Sequence, residues 1–154
     1  MDLTSLLRPE AVRVSSSFSS KKRLFQEMGE MSAAVYGIDA TTVVESLLNR
    51  ESLGPTGVGE GIALPHARLA GVDKVVGLFV RCEKPFEFGA VDRKPVDLVF
   101  GLLAPEGAGV EHLKALALVS RTMRNSPLCD KLRANSDPST LHALLSAAQH
   151  SQAA

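Results

Sequence analysis

Two short runs in the middle of the chain, Val75 to Arg81 and Val96 to Leu103, are strongly apolar and rich in Val, Leu and Phe. Segments of that length and composition read as buried strands, and a buried strand must be covered on both faces. Helical patterns on either side supply the cover. Lys21 to Tyr36 places Leu24, Met28, Met31 and Val35 at helical spacing, with Ser19 or Ser20 as cap and Gly37 as stop. Asp39 precedes Thr42 to Glu51, where Val43, Val44, Leu47 and Leu48 share a face. Val110 to Arg124 is helical in pattern, Pro127 to Ala134 forms a shorter helix, and Asp137-Pro138 opens a last one running to about Ala148. Helices at both ends and strands between them predict an α/β fold, a mixed β-sheet flanked by helices in a three-layer sandwich.

Between the two strands, Phe86 to Phe88, Gly89 and Asp92-Arg93-Lys94-Pro95 form an extended connection ending in a turn. Adjacent antiparallel pairing is compatible with that connection, but the sequence does not fix it. The stretch Ser15 to Ser20 reads as a lead into the first long helix. Gly54 to Gly61 holds four glycines and a proline, which resists regular structure and lets a backbone approach a ligand closely.

At 154 residues and 45% apolar composition, residues 1–154 are read as a single domain. Seventeen basic residues balance seventeen acidic ones, so the chain lacks the broad positive field of a nucleic-acid or anionic-membrane binder. Apolar runs such as Leu98 to Ala104 fall far short of the roughly 20 residues that cross a bilayer, which argues against membrane insertion. No secretory signal is legible after Met1-Asp2, so a cytoplasmic protein is expected. Cys82 and Cys129 have no metal-type spacing and read as reduced core residues. His142 and His150 lack a second ligand type at metal spacing, so neither a metal nor a cofactor is implied.

The chemistry concentrates between Arg50 and Arg68. Gly57, Gly59 and Gly61 superficially suggest a dinucleotide fingerprint, but that motif opens a helix, whereas a strand-like piece follows here. Pro65 biases Leu64 towards extended backbone and presents His66 at a stiff strand end. A neutral imidazole is nucleophilic near pH 7 and can take a phosphoryl group if its other nitrogen is oriented by a hydrogen bond. The transferring group spreads charge over its oxygens and needs cations or donors beside it. Arg50, on the apolar face of its helix, is one candidate, and a helix-terminal arginine with its head in water is the other reading. His112, in the first turn of its helix and on the face of Leu116, Val119 and Met123, should look inward, either as a partner to an anion or as a core histidine. Arg68 faces either a phosphate, a partner carboxylate or solvent. Lys21-Lys22-Arg23 reads as a solvated first turn, with docking of an acidic partner as the alternative. General-base hydrolysis by His66 has no legible nucleophile or paired carboxylate to work with.

The run Arg50-Glu51, Gly54, Thr56-Gly57, Gly59, Gly61-Ile62-Ala63-Leu64-Pro65-His66 resembles the signature of the type-two enzyme IIA family of the bacterial phosphotransferase system, whose members include mannitol, fructose and nitrogen-regulatory proteins. The similarity extends to Pro95-Val96-Asp97-Leu98, Ala104-Pro105 and His112-Leu113, nearly the whole chain. It implies that His66 receives a phosphoryl group, with Arg50 and His112 beside it. Thr56 and the amides of Gly57 and Gly59 are weaker candidates for holding the phosphate. Ala67 stands where many members have glycine, and Glu60 adds a negative charge that would tune partner choice or phosphoryl stability. The free-standing chain and its Ser-Lys-Lys-Arg helix start resemble the nitrogen-regulatory branch. That branch implies an HPr-like donor of the NPr type and regulatory targets such as components governing potassium and nitrogen balance. A sugar-specific member passing phosphate to a IIB component, or a binding module that has lost phosphorylation, are the alternatives.

Overall fold

A computed structural model describes the backbone of residues 1–153 and side chains through residue 148, so His150 lies outside the described side chains. In chain order it contains α1 (Leu3–Leu6), a 3-10 turn at Pro9–Ala11, β1 (Val12–Ser15), α2 (Lys21–Tyr36), α3 (Ala40–Glu51), β2 (Gly57–Gly59) and β3 (Ile62–Ala63). Then come β4 (His66–Leu69), β5 (Val76–Phe86), β6 (Val96–Pro105), α4 (Val110–Met123), α5 (Ser126–Arg133) and α6 (Pro138–Ala153). None of the described helices is long and apolar enough to cross a membrane.

The two apolar runs do pair with each other. β5 and β6 run antiparallel with Phe79 opposite Phe100, and the two rings meet edge to face at 5.9 Å between centroids. Along them Leu78, Phe79, Val80, Leu98, Val99 and Phe100 are all fully buried, which explains why these strands are apolar throughout instead of alternating. β1 adds to the free edge of β5 in parallel, and β3 and β4 add to the other edge of β6, also in parallel. β2 closes that end as an antiparallel neighbour of β3. The sheet is therefore mixed, helices flank it, and the expected α/β sandwich is the observed one.

The helix limits follow from local chemistry. The Ser20 hydroxyl accepts from the Arg23 amide, and Gly37 ends α2 with a left-handed φ of 69°. Asp39 accepts from both the amide and the hydroxyl of Thr42 at 2.9 Å to start α3. Cys82 and Cys129 are free and buried as expected, burial being the chief cause that pushes the Cys82 thiol up to about 12.

Two segments differ from the sequence reading. Ahead of the Ser15 to Ser20 lead-in, where the sequence reading assigned no element, α1 and β1 are formed, and Val12 pairs with Phe79 of β5. The glycine-rich stretch is a hairpin and not an irregular loop. β2 and β3 are joined through Glu60 and Gly61, both with positive φ (58° and 80°), as a tight strand connection requires. Gly57 is needed for contact between chain segments, since a Cβ there would lie 2.7 Å from the Ala90 Cβ and 2.8 Å from its Cα. Because the obstruction includes backbone, Gly57→Ala should destabilise the fold by about 1–3 kcal/mol, seen as a lower urea midpoint with an unchanged m-value.

Candidate functional site

Residues Ile62 to Leu69 lie along one edge of β6 in a single register: Ile62 faces Leu98 and His66 faces Leu102. The ladder is interrupted only at Leu64-Pro65, where the proline has no N–H to donate. At this gap the Pro65 carbonyl still accepts from the Leu102 amide, at 3.0 Å, while the Leu64 carbonyl is met by Nδ1 of His66 at 2.9 Å. A carbonyl only accepts, so Nδ1 carries the hydrogen and the lone pair of the neutral ring sits on Nε2.

β6 ends at Pro105, and the chain turns back through a short loop into α4. That return brings the third residue of the helix, His112, against β4, where it meets His66 and Arg68. The His66 and His112 rings stand nearly perpendicular, with centroids 5.5 Å apart. His112 is buried, whereas His66 is half-buried. Arg68, two residues along β4 and so on the same face as His66, donates from Nε to Nδ1 of His112 at 3.1 Å. From the other side, the last turn of α3 contributes Arg50, half-buried, whose Nη1 donates to the Gly54 carbonyl at 3.0 Å. Arg50, His66, Arg68 and His112 line one open depression of about 470 Å³, together with Ser46, Asn49 and the exposed Leu53.

Both rings are held neutral. Burial is the largest cause lowering the His66 pKa. The Leu64 hydrogen bond opposes it, the Arg50 charge lowers it further, and Glu51 raises it. His112 is lowered by burial first, then by His66 and Arg68. Its place in the first turn of α4 acts in the same direction, and that helix end also favours an incoming anion.

Arg50 is held by a network the sequence reading missed. The carboxylate of Glu51, with 4% of its side chain exposed, accepts from the Thr56 amide (2.9 Å) and hydroxyl (2.5 Å) and from Lys21 Nζ (3.1 Å). These bonds close the six-residue turn from Glu51 to Thr56, and Gly54, in the middle of that turn, returns its carbonyl to Arg50. Lys21 also sits 4.6 Å from the centre of the Phe88 ring, so it is an internal tether and not the solvated residue expected. Among the weaker candidates, Thr56 is committed to Glu51, Gly57 packs on Ala90, and Gly59 faces the Asp92 carboxylate; none of the three lines the depression. Glu60, at the hairpin turn, borders a different cavity of about 430 Å³ near Arg133. The only sequence hint of the Glu51 network was a carboxylate on the buried side of a helix end, five residues before a threonine.

The arrangement sets a neutral ring with an exposed lone pair beside a second ring and two guanidinium groups, on an α/β sandwich. It defines a phosphotransfer component that works through phosphohistidine. The family model described as "Phosphoenolpyruvate-dependent sugar phosphotransferase system, EIIA 2" matches residues 5–148. A "Nitrogen regulatory protein" of Bradyrhizobium diazoefficiens is 45% identical over 145 residues, covering 94% of this chain and 95% of its own. One of Escherichia coli is 36% identical over 146 residues, covering 94% and 90%. The crystal structure of nitrogen regulatory protein IIA-Ntr from Neisseria meningitidis superposes with a TM-score of 0.84 at 37% identity, over 92% of this chain and 97% of that one. The chain thus belongs to the type-two EIIA family of the phosphotransferase system, in its nitrogen-regulatory branch.

Because both imidazoles have lowered pKa values in the folded protein, the unfolded chain takes up protons first as pH falls below about 6.5. The two histidines therefore reduce stability on acidification between 6.5 and their folded values, and contribute no such loss above 6.5. Proton NMR titration of the ring Cε1 hydrogens should give midpoints below 6.5 for both. A midpoint above 6.5 for either would contradict this electrostatic picture. Glu51→Ala, which strands Lys21 and releases Thr56, should cost about 3 kcal/mol by chemical denaturation.

Proposed function

We propose that His66 is the phosphoacceptor, through Nε2, with Arg50 and His112 stabilising the group in transfer. The carrying observation is the Nδ1–H bond to the Leu64 carbonyl, which aims the lone pair of a ring with a lowered pKa into the open depression. In the step, that lone pair forms the new N–P bond while the N–P bond of the donor's phosphohistidine breaks and its electron pair returns to the donor ring. The His66 ring gains positive character as the bond forms, and the Leu64 carbonyl on Nδ1–H eases it. The three phosphoryl oxygens meet the Arg50 guanidinium and the N–H of a neutral His112. With its other nitrogen protonated the donor ring departs as neutral imidazole, and His66 keeps its Nδ1–H, so no proton has to leave either ring.

The donor in this reading is an HPr-like phosphocarrier of the NPr type. A shallow, open depression suits a protein carrying its own phosphohistidine better than it suits an enclosed small molecule. Apolar side chains are exposed around it, Leu53 at its edge and Val110 and Leu113 beside His112 on α4, as a docking face requires. The phosphorylation state then governs binding to regulatory targets in nitrogen and potassium balance. A change of about two charges among these cations and apolar side chains is enough to switch an interface.

Supplied with phosphoenolpyruvate, enzyme I and the HPr-like donor, the chain should acquire one acid-labile, base-stable label. His66→Ala should abolish it, and Arg50→Ala should slow transfer by about 10²-fold with little effect on the unfolding midpoint. Normal labelling of His66→Ala would refute the acceptor assignment, and an unchanged rate in Arg50→Ala would remove that residue from the mechanism.

A further inference from the structure

We propose that Arg68 is a positioning residue of the transfer reaction: by donating to Nδ1 of His112 it fixes the ring so that its Nε2–H points to the incoming phosphoryl group. This rests on the reading of His66 as acceptor but assigns a separate role to a separate residue. The argument begins with what a guanidinium is able to do. Arginine carries donors and no acceptor and keeps its charge at any physiological pH. Its Nε lies 3.1 Å from Nδ1 of His112, and that contact is a hydrogen bond only if Nδ1 holds a lone pair. A neutral imidazole with its lone pair on Nδ1 has its hydrogen on Nε2.

Nε2 of His112 is buried and has no hydrogen-bond partner, one of two such side-chain atoms among the described residues. A buried N–H without a partner is costly and uncommon in folded proteins. Here it belongs to a ring that faces His66 across 5.5 Å and borders the same depression. A phosphoryl oxygen on His66 is the acceptor that would satisfy it. The same donor therefore remains unsatisfied in the resting protein and becomes bonded as phosphorus arrives, which is how a group comes to favour the transferring state over the ground state.

The sequence arrangement makes this economical. Strand periodicity puts residue 68 on the face of residue 66, and the parallel pairing of β4 with β6 sets Arg68 opposite Ala104, close to where β6 ends before α4. One short strand thus carries both the acceptor and the residue that orients its partner ring. The two histidines end with opposite tautomers, Nδ1–H on His66 and Nε2–H on His112, because one is met by a carbonyl and the other by a guanidinium.

Two-bond nitrogen–proton correlation spectra of the unphosphorylated protein read this directly. His112 should show a protonated Nε2 and an unprotonated Nδ1, and a protonated Nδ1 would overturn the proposal. A double-mutant cycle on the rate of transfer from the phosphorylated donor separates an action through His112 from direct contact with phosphate. Arg68→Met should slow transfer about tenfold when His112 is present and less than about twofold in the His112→Ala background. An equal loss in both backgrounds would show that Arg68 acts on the phosphoryl group itself and would overturn the proposed role. Absence of label on His66 in the wild-type chain would instead defeat the acceptor assignment, and the nitrogen spectrum would then still decide the His112 tautomer.

Discussion

The gap in the β-ladder at Leu64-Pro65 is the constraint on which the site depends. Everything along that edge of β6 is otherwise regular, with one register from Ile62 to Leu69. Proline at position 65 leaves one amide out of the ladder with β6. Leu64 sends its own amide to the Thr56 carbonyl, on the side away from β6, so its carbonyl faces the open edge and is met by the ring of the residue two places on. That single bond sets which nitrogen of His66 is free, and the rest of the site is arranged around that nitrogen.

Three chain segments then converge on it with different electrostatic tasks. α3 ends at the site and brings Arg50 in its last turn, where a cation is favoured, while α4 begins there and brings His112 in its first turn, where a neutral ring and an anion are favoured. Burial and the two guanidinium groups keep both imidazoles from charging, so a ring with a free lone pair is present at neutral pH. The positive charge near the site belongs to arginines, whose state does not change with pH, and nucleophilicity belongs to rings that are kept uncharged. In the transfer proposed above, this division lets one surface attract an anionic group without protonating the nitrogen assigned to attack it.

Glu51 shows how the scaffold supports that chemistry from behind. Its buried carboxylate binds Lys21 at the start of α2 and Thr56 ahead of the hairpin, linking the first long helix to the turn that cradles Arg50. Read singly, Lys21 looked solvated and Thr56 looked like a phosphate ligand. Each is better explained as a partner of one buried anion, which must be fully hydrogen-bonded to be tolerated away from water.

Much of the fold was legible because it rests on local periodicity. The helices from Lys21, Thr42, Val110, Pro127 and Pro138 carry their caps and apolar faces in the sequence, and the two central strands announce themselves by unbroken apolar composition. His66 was legible through the proline before it, and His112 and Arg50 through their places on helix faces. The β2–β3 hairpin was not, since three glycines give no alternation to read and the turn depends on positive φ at Glu60 and Gly61. β1 was missed because four residues at a sheet edge are too short to show a period.

Sequence alone determined which residues are chemically capable: a histidine held at a stiff strand end, an arginine closing a helix, a second histidine opening another. Only the tertiary structure decided their relations, because tautomer and orientation come from contacts between residues far apart in the chain. Arg68 meets His112 across 44 positions, and Lys21 meets Glu51 across 30. No spacing rule reaches over such intervals, and the parallel pairing of β4 with β6 that brings the first pair together is itself a product of the sheet as a whole.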